Sequence, residues 1–308
     1  MERRPTVAFF TEMGFQGRIP RNHNNMRTEF AWMVALEADH YNIHTVPTTQ
    51  YDLGIVIIPK KNPDFDINKV KQYCKKVAVM QEGPNWYWQD YDLAKQVWYF
   101  NTLTSADIIF THNQADKRYY QGLTSHKDVR VLQSLMIEEA VGDIKGVERD
   151  GVIIGGNFVS WYGGFDSFII AQELGSEVWA PSMGRKQEGE DQLLKHLPYL
   201  NWQDWIHTLN KYRYGVHLMR THAAGTFALN CAYLGIPCIG YRGLDTQEIL
   251  HPDLTVEVGD LQTAKELAVR IRKDEKFYIY CSNVAIESYK KNYTEDNFKN
   301  KFYEHSII

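Results

Sequence analysis

Disulfides, membrane spans and a strong net charge are all missing from this chain. Its 308 residues include four cysteines, Cys74, Cys231, Cys238 and Cys281, and no pair stands at Cys-x-x-Cys spacing. That excludes a disulfide framework and leaves small buried thiols in a reducing compartment. The longest apolar run, around 54–59, is far short of the roughly 20 residues that span a bilayer. The N-terminus, MERRPTVAFF, has charge but no apolar leader, so we expect a cytoplasmic protein (in a host cytoplasm if phage-encoded) without a membrane partner. A net charge of −4 gives no general attraction to nucleic acid, although a local basic face is compatible with it. Nothing in the sequence fixes an oligomeric state. No internal repeat or low-complexity block is visible.

What the chain does have is apolar residues at 44% and charged residues at 23%, the balance of a packed globular protein. Its length suits two domains of about 150 residues. Short apolar runs at 7–10, 54–58, 77–80 and 108–110 read as strands buried on both faces. Helical spacing at 26–38, 67–74 and 92–104 fills the gaps, and 129–132 supplies one more strand. The stretch 137–150 is acidic, holds Gly142 and Gly146, and reads as a connector. The alternation then restarts, with strands at 152–154, 178–179, 215–218, 238–239 and 256–258. Helices are expected at 165–174, 202–209, 227–234 and 263–272, and the polar, aromatic end is expected to be helical too. We therefore expect the α/β class, with two Rossmann-like domains whose parallel sheets face a cleft. The domains are 1–135 and 151–282, with a linker at 136–150. A C-terminal helical segment, 283–308, packs back toward the first domain. A ligand in such a pair lies beyond the carboxyl ends of the strands.

The most informative stretch is HAAGTFALNCAYLGIPCIGY at 222–241. A helix opening at Gly225-Thr226 aims free N–H groups, and the positive end of its dipole, at whatever precedes it, which favours a phosphate. Gly235 can end that helix and Pro237 keeps it from resuming. A second Gly-rich approach to a helix, Gly155-Gly156-Asn157 then Trp161-Tyr162-Gly163-Gly164, follows the strand at 152–154. Arg185 and Lys186 follow a third strand and Arg220 precedes the 226 helix. These cations suit a diphosphate, or else form solvated surface pairs. His222 suits a hydrogen bond to sugar or phosphate, or a structural role.

These features resemble the donor domain of glycosyltransferases with the two-Rossmann-domain (GT-B) fold. In many of them this helix carries a Glu, seven residues and a second Glu, then a Gly-x-Pro turn. The matching positions here are His222 and Asn230, ahead of Gly235-Ile236-Pro237. Both carboxylates are replaced. The resemblance implies that His222 stands where the donor sugar is contacted and Asn230 where the ribose is. It assigns Gly156, Gly163, Gly164, Arg185, Lys186, Arg220, Gly225 and Thr226 to the nucleotide-sugar, of UDP or GDP type. No metal or further cofactor is implied. The motif order VAVMQE at 77–82, ADIIFTH at 106–112, and Ile154-Gly155 with Trp161 and Gly164-Phe165 is also similar to bacteriophage DNA glucosyltransferases. That similarity implies DNA as a possible acceptor.

On the acceptor side, transfer with inversion needs a base on the acceptor hydroxyl. Glu82, at a strand's carboxyl end, suits that role, or anchors a turn. Glu12 and His112 stand on the same rim. The loop 14–27 is basic and amide-rich, and its Arg18 and Arg21 suit acceptor phosphates, the donor, or solvent. Trp86 begins an aromatic cluster that either stacks on a base or packs under a loop. A DNA base would have to leave its duplex to react. Asp64-Phe65-Asp66 imitates a metal-binding Asp-x-Asp, but Asp66 reads as a helix cap, and no zinc-type cluster is present. Two other classes remain open: a sugar-nucleotide epimerase of the same fold, and a non-catalytic nucleotide-sugar or nucleic-acid binder.

Overall fold

The computed structural model describes residues 4–13, 15–62, 65–125, 128–182 and 184–304; Gly14, Asp64 and Met183 of the stretches singled out above lie outside them. Two sheets form the frame. The first comprises β1 (Val7–Thr11), β2 (Gly17–Arg18), β3 (Asp39–Asn42), β4 (Tyr51–Ile57), β5 (Cys74–Met80), β6 (Ile108–Thr111) and β7 (Val129–Val131), in the order β2-β3-β1-β4-β5-β6-β7. Every pairing is parallel except β2 with β3. The second comprises β8 (Val152–Ile154), β9 (Val178–Ala180), β10 (Leu194–His196), β11 (Tyr214–His217), β12 (Cys238–Tyr241) and β13 (Thr255–Val256), in the order β10-β9-β8-β11-β12-β13. It is parallel throughout. The order reverses between β8 and β11, which opens the crevice where such sheets bind ligands.

The central strands of both sheets are covered on two faces and carry continuous apolar runs rather than alternation, unlike β2, β3 and β10. All of β1, β6, β11 and β12 is buried. All four cysteines are free thiols buried in this interior.

Two kinds of helix start bear on the site, beside short helices that begin with neither a side-chain cap nor a left-handed glycine. Asp92, Asn113, Asn201, Asp260 and Asp274 each accept a first-turn N–H from the helix that follows. The helices Gly164–Ala171 and Thr226–Leu234 instead follow Gly163 and Gly225, left-handed at φ 61° and 65°, with no side-chain cap. Their first N–H groups therefore stay open to a ligand or to water. The Thr226–Leu234 helix ends as expected at Gly235 (φ 67°), with Ile236 N–H donating to Cys231 C=O at 2.8 Å. Arg149 secures that end, donating to the carbonyls of Leu234 (2.6 Å) and Asn210 (3.1 Å).

The helix expected over 26–38 is shorter, Glu29–Ala35, and is entered through Thr28 at φ 40°, ψ −100°. The preceding residues, Met26 to Thr28, instead line the interdomain cleft. The stretch read as a linker begins buried: Met136, Ile137, Ala140 and Val141 join a core cluster that also holds Ile55, Trp202, Leu229 and Phe302. One apolar cluster thus runs through both sheets, while two others each stay within one domain. The last helix, Glu295–Glu304, lies against the first domain, with Phe302 6.4 Å from Phe110. No helix among the described residues is long and apolar enough to cross a membrane.

Candidate functional site

A cleft of about 380 Å³ opens between the domains at the carboxyl ends of the second sheet. Each wall follows from the strand before it. Gly155 continues β8, Pro181 and Ser182 continue β9, and Leu197 to Leu200 continue β10. Thr226, Phe227, Leu229 and Asn230 come from the uncapped helix after β11. Met26, Arg27, Thr28 and Leu135 form the first domain's wall. Tyr162, Tyr199, Trp202 and Trp205 add aromatic faces. An apolar, aromatic crevice with a helix terminus opening into it suits a ring system joined to an anion.

Of the residues expected to hold a donor, Thr226 and Asn230 line this cleft. Gly225, just behind, sits against Thr246: a Cβ there would lie 2.0 Å from Thr246 Oγ1. Gly163 and Gly164 seat their helix on the main chain, where added Cβ atoms would meet Leu218 O at 2.0 Å and Asn157 O at 1.8 Å. Gly156 is covered by Tyr162, and it is their neighbours Gly155 and Tyr162 that line the cleft. Arg185 lies over the Trp161 ring at 4.8 Å, Lys186 pairs with Asp191, and Arg220 pairs with Asp166 at 3.0 Å. His222 sits at the domain seam with Nδ1 3.8 Å from Asp116 Oδ1. Beside it, Asn113 Nδ2 and Ser134 Oγ donate to the carbonyls of Ala223 (3.3 Å) and Ala224 (2.8 Å), tying the first domain to the loop before the key helix.

A polar cluster occupies the carboxyl rim of the first sheet. Glu82, just beyond β5, pairs with Lys60 at 3.2 Å, and Lys60 also lies 5.2 Å over the Tyr87 ring. Glu12 accepts from the N–H groups of Lys60 and Lys61, both at 2.9 Å, and so shapes this rim. Glu29, in the first turn of its helix beside cleft-lining Thr28, is half-buried. Burial, and then the negative charge of Glu82, push its carboxyl up to about 7. Sequence spacing gave no signal for Glu29 or Lys60, because their meeting depends on the sheet. His112 is buried, stacks on Trp32 at 5.6 Å, and is pushed down to about 4 by burial, so it is neutral at pH 7. His217, at the end of β11, is likewise buried and pushed down to about 4, and neither ring nitrogen has a partner among the described residues.

The expected acceptor-side cations are engaged elsewhere. Arg18 pairs with Asp39 at 3.2 Å. Arg21 bridges Glu139 (2.7 Å) and Glu295 (2.8 Å), joining its loop to the connector and the last helix. Trp86 is half-buried ahead of a short 3-10 turn, Tyr87–Asp90, and Trp88 stacks on Tyr99 at 5.2 Å. Asp66 accepts from Asn68 N–H at 2.9 Å, a turn-capping role. Among the described residues no group of three or more His, Cys, Asp or Glu is placed to hold a metal.

No family model matches the chain, and no curated protein matches it in sequence. Solved structures do match its fold. Sucrose-phosphate synthase from Thermosynechococcus elongatus superposes with a TM-score of 0.66 at 9% identity, over 97% of each chain. HepE from Anabaena, solved with UDP, gives 0.67 at 9% identity, over 97% of this chain and 98% of that one. S. aureus TarM gives 0.60 at 7% identity; the match covers 81% of this chain but only 53% of TarM. The architecture is thus the GT-B arrangement of two Rossmann-like domains.

Proposed function

We propose that the chain is a glycosyltransferase that takes a sugar from a nucleoside-diphosphate donor and moves it to an acceptor hydroxyl. The observation that carries this reading is the uncapped Thr226–Leu234 helix, opening into an aromatic cleft at the strand-order reversal. Its N–H groups suit the pyrophosphate. Asn230, one turn further along, lines the cleft, and its amide suits hydrogen bonds to a ribose. HepE, solved with UDP and with UDP-glucose, supports UDP as the first donor nucleotide to test. In this reading Glu82 accepts the acceptor's proton and Lys60 holds its carboxylate in place. The finer reading, a hydroxymethylated pyrimidine in DNA as acceptor, rests on the order of sequence motifs. Its test is mass spectrometry of hydroxymethylated DNA incubated with protein and donor.

The main experiment compares UDP and GDP by thermal shift. A donor nucleotide at 100 times its Kd stabilises the fold by about 2.7 kcal/mol. Glu82→Gln is expected to lose turnover and keep donor affinity. Turnover that survives Glu82→Gln removes Glu82 from the reaction, and no shift with either nucleotide removes the donor reading. Interconversion of two nucleotide-sugars without any acceptor would identify an epimerase instead.

A further inference from the structure

We propose that Arg27, from the first domain, is the guanidinium that neutralises the donor's diphosphate; this rests on the transferase reading above. Arg27 is the one cation among the described residues that line the cleft. It stands at the mouth with no carboxylate in ion-pair range among the described residues. Its Nη2 donates to Leu200 C=O at 3.1 Å, and its Cζ lies 5.8 Å over the Tyr199 ring. Both partners belong to the second domain, so Arg27 already reaches across the cleft. Of the cations that the sequence favours, Lys186 is paired with Asp191 and Arg220 with Asp166, and Arg185, over the Trp161 ring, does not line the cleft.

The backbone around Arg27 is built to hold it there. Asn24 C=O accepts from Gln203 N–H at 3.1 Å, which pins the loop to the opposite domain. Thr28, the next residue, adopts φ 40°, ψ −100°. A β-branched residue there is strained, and such strain persists only where surrounding structure enforces it. Thr28 lines the cleft as well.

The chemistry calls for a cation at this place. The bond from the anomeric carbon to the β-phosphate oxygen breaks, and its electron pair goes to that oxygen. The acceptor oxygen bonds to the anomeric carbon, and its proton passes to the base. Negative charge therefore grows on the diphosphate as it leaves, and a fixed guanidinium stabilises that growth. The helix N-terminus at Thr226 meets the diphosphate from one domain and Arg27 from the other, so donor binding and domain closure are linked.

Isothermal titration of wild type, Arg27→Gln and Arg27→Lys with uridine, UMP and UDP tests the assignment. Arg27→Gln is expected to weaken UDP at least tenfold, to leave uridine unchanged, and to flatten the dependence of UDP affinity on salt. Arg27→Lys is expected to fall between. Unchanged UDP affinity in Arg27→Gln overturns the proposal. So does an equal loss for uridine and UDP, which means that Arg27 only shapes the cleft. Wild-type protein that binds neither UDP nor GDP sinks the transferase reading itself, a different result from wild-type binding that Arg27→Gln leaves intact.

Discussion

At the scale of single residues, the rim of the first sheet holds a carboxyl whose proton equilibrium is shifted. Glu29 is pushed up to about 7 by burial and by Glu82, with Lys60 opposing. An acid raised in the folded state binds its proton more tightly there than in the unfolded chain. Folding stability therefore falls as pH climbs from the ordinary carboxyl range to about 7, and the penalty is fully present above that. Glu29→Gln removes the titration. Its stability relative to wild type is expected to improve by about 1–2 kcal/mol between pH 5 and pH 8, after allowing for partial exposure. Urea denaturation at the two pH values measures this. A gap that stays constant with pH would show that Glu29 titrates as an ordinary surface carboxyl. A sequence gives no access to such a shift, because Glu29, Lys60 and Glu82 come from three separate segments. Glu82 itself was legible, since a carboxylate directly after a buried apolar strand must emerge at the sheet's carboxyl rim.

At the scale of elements, the strands that read well are those buried on both faces, β1, β4, β5, β6, β8, β11 and β12. Their apolar runs leave little ambiguity. The strand β3, sequence DHYN, escapes because its polar residues carry no burial signal, yet His40 within it is fully buried against Thr11 at 2.7 Å. The Gly225 start and Gly235 end of the key helix were legible because only glycine takes the left-handed conformation at both ends without strain. The partner that secures its far end was not legible. Arg149 lies in the stretch that reads as an acidic connector, but its guanidinium grips the carbonyls of Leu234 and Asn210. A cation here also meets the negative end of the helix dipole. Arg149→Met keeps the apolar stem and deletes these bonds. We expect it to cost about 1.5–3 kcal/mol, as for hydrogen bonds to a charged group. UDP affinity is expected to fall too, since the same helix presents Thr226 to the cleft. Calorimetry with and without UDP separates the two effects; a variant as stable as wild type would make the Arg149 contacts incidental.

At the scale of the whole molecule, two sheets, each with an apolar cluster of its own, suggest two folding units, but a third cluster shared between them argues for coupling. A single cluster joins Ile55 and Phe110 of the first sheet to Trp202, Leu229 and Ile236 of the second domain. The last helix returns from the second domain to place Phe302 in the same cluster, 6.1 Å from Phe298 and 6.4 Å from Phe110. Arg21 adds ion pairs from the first domain's loop to Glu139 and Glu295. Surface ion pairs of this kind contribute little beside the apolar burial. Removing a buried Phe typically costs about 3–5 kcal/mol. Phe302 is covalently far from the first domain yet packs on it, so Phe302→Ala tests how the halves are coupled. If they unfold independently, the variant undocks the last helix and leaves one half at its original melting temperature. If the shared core makes them cooperative, hydrogen exchange in β5 and in β12 accelerates together, and calorimetry shows one transition at a lower temperature. We expect the second outcome. It also bears on the cleft: if the domains unfold as one unit, their shared core excludes free swinging about a linker and leaves the cleft only small rearrangements.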